Sequence, residues 1–258
     1  MKAKIQALAI LLALSSATTV TQAAWAEPSP PKNQASASFV FKKNSVTLTR
    51  KALQQGERTS AVINYPTLAS GASDSITKSV NNVIGVKAAL DMDLAGAKQE
   101  FMESFWLTEV NYKITYQGPT AVSVFYTIEG MGAHPSTSFR EVCADLKTGK
   151  QLKIDDMLQN KKALQAHLNG LLSKEMSDSV KAASGADKDT ISEYFGEQKP
   201  TFSKSQLEHF VITPQGLTFR YDYDMPHVIK ALEPKGTFEL SWKTLKPWMK
   251  PTWILGKV

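Results

Sequence analysis

The sequence predicts an α+β fold in which antiparallel strands pack against helices, and three stretches carry that prediction. Residues 109–129, EVNYKITYQGPTAVSVFYTIE, alternate apolar and polar side chains on both sides of a QGPT turn, the period-two signature of a hairpin with one buried face. Residues 209–223, HFVITPQGLTFRYDY, repeat the pattern around Pro214-Gln215-Gly216. Between them Leu164, Leu168, Leu171, Leu172 and Met176 recur at helical spacing, which predicts a long helix laying one apolar stripe across a sheet.

The remaining elements follow in chain order. Residues 1–26 read as a secretory signal: Lys2 and Lys4, a short apolar run, and the small-x-small site Ala24-Trp25-Ala26. That run is short of the roughly 20 residues of a membrane span, so no transmembrane segment is expected after cleavage. Residues 27–38, EPSPPKNQASAS, are polar and proline-bearing and read as a flexible leader. Residues 39–50 and 59–66 form short strands. A helix capped by Ser73 or Asp74 follows, with Ile76, Val80, Val83 and Ile84 on one face. Leu94, Ala97, Phe101 and Phe105 predict a second helix over 94–105. After the first hairpin, residues 136–146 form a strand, and KTGK turns it into QLKI. Asn160 starts the long helix, KAASGADKD interrupts, residues 190–198 form a short helix, and residues 237–242 form a last strand. No internal repeat is present.

Composition narrows the function classes. The hydrophobic content of 42% is ample for a globular core, and a formal charge of +6 falls to about +4 once Lys2 and Lys4 leave with the signal. That balance is too mild for nucleic acid, which calls for a denser basic stripe; it suits anionic envelope polymers or acidic partners. Cys143 is the lone cysteine, so no internal disulfide forms and an exported fold rests on its core.

Chemistry-bearing patterns are sparse. His134, His167, His209 and His227 show no HxH, HxxxH or HExxH spacing, so no metal or other cofactor is assigned. Cys143 sits mid-strand and reads as a small buried hydrophobe, no G-x-S-x-G elbow exists, and the sequence names no catalytic residue. His134 is the sharpest candidate for ligand contact. Gly130 and Gly132 permit positive φ or close backbone approach, and Pro135 holds His134 extended; such a segment forms a bulge or tight crossing. The histidine then pins the loop by a hydrogen bond, touches a ligand, or transfers a proton. Tyr221, Tyr223, Asp224 and His227 gather in FRYDYDMPH, where tyrosines beside acids grip a sugar or a basic surface, or else face the core. Trp242, Trp248 and Trp253 among lysines pack the C-terminal tail or else bind an interface or polymer.

The order of INYPTL (63–68), the Gly-Ala-His turn (132–134), ADLKTGKQLKIDDML (144–158) and ITPQGLTFRYDYDM (212–225) resembles an exported module of unassigned function. That module forms the extracytoplasmic, lysozyme-binding region of the anti-sigma factor RsiV and the non-catalytic N-terminal region of PdaC-type peptidoglycan deacetylases. The likeness spans about residues 60–245. It implies two consecutive subdomains, a PdaC-like one over 39–128 and an RsiV-like one over 129–258. By position, Gly132, Ala133 and His134 match the turn, and Asp145, Leu146, Thr148 and Gly149 match the following hairpin. Met131 and Pro135 stand where the pattern has glycine, and His227 stands where it has an aromatic.

The combined expectation is a periplasmic or secreted binding module of the cell envelope, without catalysis, using the loops around His134 and 221–227. Its partner is an envelope protein, a lysozyme-like wall hydrolase, or peptidoglycan itself. The rival expectation is an envelope enzyme acting on peptidoglycan or polysaccharide, with His134 and Asp145 or Asp224 as acid and base.

Overall fold

The computed structural model describes residues 39–52, 59–104, 106–132 and 134–253, which fall in one compact unit. The signal and leader, Phe105 and Ala133 lie outside the described residues. The fold is α+β, with a five-stranded and a three-stranded sheet packed against helices.

The five-stranded sheet follows chain order: β1 (Val40–Thr49), β2 (Ser60–Ser70), β3 (Leu107–Gln117), β4 (Ala121–Met131) and β5 (Pro135–Asp145). Neighbours are antiparallel except β2 and β3, which run parallel at Val62↔Glu109 and Ile63↔Val110. Parallel strands need a long crossover, and three helices supply it: α1 (Asp74–Ile84), α2 (Val86–Leu90) and α3 (Leu94–Glu103). Ser73 caps α1 by accepting from the Ile76 amide, and Asp93 caps α3 by accepting from Gly96. The predicted second helix thus ends at Glu103, and the short α2 that follows Gly85 had no periodic signal.

The β3–β4 hairpin places Tyr112 opposite Tyr126 and Ile114 opposite Val124. Val122, Val124, Tyr126 and Ile128 face the crossover helices, in one core with Ile63, Val80, Ile84 and Phe101. Alternate residues point the other way, so Ala121 of β4 and Cys143 of β5 belong to a second core. That core contains the three-stranded sheet β6 (Phe210–Ile212), β7 (Gly216–Arg220) and β8 (Thr237–Ser241), in that order and antiparallel. Buried Ser123 joins the layers, since its hydroxyl accepts from Thr115 of β3 and from the Ile212 amide of β6. β4 runs unbroken through position 128, and β5 pairs along its whole length.

Helix α4 (Ile154–Met157) precedes the long α5 (Lys161–Ala182), whose Asn160 cap accepts from the Ala163 amide. Leu164, Leu168 and Leu172 are fully buried in the second core, while Leu171 and Met176 sit at its margin. Helix α6 spans Gly185–Gln198, five residues longer at its start than the sequence predicts. Gly185 opens it at φ 54, so the Gly-Ala pair begins a helix where it had read as an interruption. Trp242 leaves β8 to begin α7 (Trp242–Leu245). Among the described residues no helix is long and apolar enough to cross a membrane.

Candidate functional site

β4 and β5 meet in register from Ala121↔Asp145 to Met131↔Pro135 without a shift. The expected bulge is therefore absent, and the Gly-Met-Gly segment closes a plain hairpin. Gly130 serves the close approach that the sequence allowed, without a positive φ. A Cβ there would lie 2.8 Å from the Trp106 ring and 2.9 Å from Ser136 Oγ, so glycine lets the Trp106 ring lie close to the strand. Gly132 has open space around it, its amide donates to the His134 carbonyl, and Pro135 starts β5.

The turn presents His134 to solvent, and a second candidate meets it there. His227 opens the 3-10 helix His227–Leu232, and the two rings stack with centroids 4.2 Å apart and planes 21° from parallel. Both residues are exposed. The stack brings together two candidates that lie 93 residues apart in the sequence. Met131 at 43% exposure and Val228 at 89% flank the two rings in the chain.

The tyrosines of the same tract face inward. β7 ends at Arg220, three residues before the strand that the alternation suggests, yet Tyr221, Tyr223 and Met225 remain buried while Asp222 and Asp224 remain exposed. The Tyr221 amide donates to the Gly236 carbonyl, and Asp224 takes φ 52. The Tyr221 hydroxyl accepts from the Thr201 amide, and its ring packs edge-on against Phe202 and Tyr223. Tyr223 donates to Glu175 Oε2 at 2.8 Å. Burial, then the Glu175 carboxylate, push its phenol above the ordinary range. Asp222 lies near both Arg220 and Lys230 and accepts from the Asp224 amide.

The KTGK turn is built on Asp145, which accepts from the Lys147 and Thr148 amides and the Thr148 hydroxyl. Gly149 takes φ 71, with its amide on the Asp145 carbonyl. Asp145 closes the end of β5 opposite to His134, about 30 Å along an eleven-residue strand. The two therefore share no proton.

A third arrangement carried no sequence signal. Glu141 of β5 has a side chain only 2% exposed, and its Oε1 accepts from Arg220 Nε at 2.6 Å while its Oε2 lies 3.2 Å from His209 Nδ1. Burial works against the carboxylate, but the His209 hydrogen bond and the Arg220 charge outweigh it and hold Glu141 below its usual range. The Arg220 guanidinium also covers the Phe139 ring at 4.7 Å. Among the described histidines, His209 alone contacts a carboxylate. Cys143 is buried, and burial pushes its thiol up to about 12, which leaves no thiolate for nucleophilic attack. No group of three or more His, Cys, Asp or Glu among the described residues converges on a metal position. An open groove of about 420 Å³ runs between α5 and β8, lined by Leu171, Lys174, Glu175, Asp178 and Phe238.

These features sit on a fold shared with two solved proteins. The crystal structure of a member of the DUF3298 family from Bacteroides fragilis NCTC 9343 matches with a TM-score of 0.55 at 15% identity, over 86% of this chain and 97% of that one. A DUF3298 family protein from Pseudomonas aeruginosa PAO1 matches with a TM-score of 0.56 at 16% identity, over 85% and 98% respectively. At such identities the likeness establishes the fold alone. No protein-family model and no curated protein matches the sequence.

Proposed function

We propose that the chain is a non-catalytic binding module, exported to the periplasm or beyond, that recognises a protein of the cell envelope. The observation that carries this reading is the exposed stack of His134 on His227, with exposed Val228 next to His227 and exposed Met131 three residues before His134 in the chain. Apolar and flat amphipathic side chains left in water are typical of partner contacts. A lysozyme-like wall hydrolase is the partner class that the RsiV resemblance suggests. Binding of immobilised lysozyme tests it: Val228→Asp should weaken binding at least tenfold and leave the melting temperature unchanged. Equal binding by that variant would remove the cluster from the interface.

A second reading, recognition of wall glycan, is favoured by the groove along α5, whose volume suits a few sugar units and whose lining mixes Phe238 with Glu175, Lys174 and Asp178. Retention on insoluble peptidoglycan without any retention on lysozyme would replace the first reading by this one.

A further inference from the structure

We infer that His134 and His227 together form a surface site for one divalent transition-metal ion of the imidazole-preferring class, copper(II), nickel(II) or zinc(II). The two rings come from segments far apart in the chain, the β4–β5 turn and the stretch after β7, yet their centroids are 4.2 Å apart. No hydrogen bond or ion pair engages either ring among the described residues, so the ring nitrogens remain available as donors. Both rings are exposed, so an ion reaches them without opening the fold.

The rings are near enough for coordination once the stack opens: with planes 21° from parallel, the in-plane nitrogen lone pairs do not converge until each ring turns. An ion about 2.0–2.1 Å from each imidazole nitrogen needs two nitrogens about 3 Å apart. Rings stacked as closely as these reach that separation by turning about their side-chain bonds, a motion that exposed side chains make in picoseconds to nanoseconds. Gly132 lies in open space beside His134, so the turn can follow the ring. No third protein donor converges on the pair among the described residues. Water, or a donor from a bound partner, therefore completes the coordination sphere, and the site is open rather than closed like a structural zinc. An ion held there ties the five-stranded sheet to the segment leaving the three-stranded one. The site lies on the same surface as the binding function proposed above, but the titration below uses no partner, so the two can fail separately.

Titration of copper(II) into the full chain without a histidine tag, followed by calorimetry and by the copper electron paramagnetic resonance spectrum, tests it. The expected result is one ion per chain with superhyperfine coupling to two imidazole nitrogens. His134→Ala and His227→Ala should each lower the affinity at least tenfold and leave coupling to one nitrogen, whereas His167→Ala should change neither. Metal-free melting curves of the variants should overlay that of the parent, because neither ring is buried. Absence of binding by the parent, an effect confined to one of the two variants, or a double variant that binds like the parent would overturn the site.

Discussion

At Glu141 a carboxylate with almost no access to water stays ionised because Arg220 and His209 both reach it. Removing it strands the Arg220 guanidinium, itself only 16% exposed. Glu141→Ala should therefore cost about 3 kcal/mol in urea unfolding, the lower end of the range for a broken buried pair, because His209 is half open to solvent and Asp222 stays near Arg220. The pH dependence has a definite sign. The folded-state value of Glu141 lies below that of the unfolded chain, near 4.3. Its contribution is thus complete above that value and is lost as pH falls through the folded one. As pH falls below the unfolded value the parent should lose stability more steeply than Glu141→Gln, read from denaturation midpoints at successive acid pH values. His134→Ala, at an exposed position, should shift stability by no more than about 0.5 kcal/mol. His134 and His227 were each legible as unusual residues, but Glu141 was not. It is one polar position in an alternating strand, and its partners lie 68 and 79 residues away.

At the scale of elements, local chemistry placed most starts and stops. Ser73, Asn160 and the Asp145–Gly149 turn sit where caps and turns were readable, because each needs only side chains within three or four residues. Longer-range substitutes were not readable. Asn81 of α1 uses its side-chain amide to accept from the Leu68 amide and donate to the Leu68 carbonyl. It thereby satisfies β2 beyond the point where pairing with β3 ends. Asn81→Ala leaves both backbone groups without that partner, and a loss of about 2 kcal/mol is expected in chemical denaturation. In α5, Leu168→Ala should cost about 3 kcal/mol through the cavity it leaves. Lys174→Ala, which removes an exposed pair with Asp178, should be nearly neutral. The length of α6 escaped the sequence because its glycine serves as a left-handed entry to the helix.

Across the whole molecule, the five-stranded sheet has the crossover helices on one face and the second sheet with α5 on part of the other. Ser123 and the Glu141–Arg220 pair couple the two cores. A single unfolding transition is therefore expected, with far-ultraviolet and near-ultraviolet circular dichroism coinciding; separated midpoints would show that the coupling is weak. Periodicity and turn residues by themselves determined the α+β class, the two hairpins and the apolar stripe of α5, since each depends on neighbours a few residues apart. Only the tertiary structure decided that Tyr221 and Tyr223 turn inward, that His134 meets His227, and that Glu141 meets His209 and Arg220. Those outcomes depend on how one sheet lies against the other, and no local spacing in a single chain encodes the packing of two distant segments.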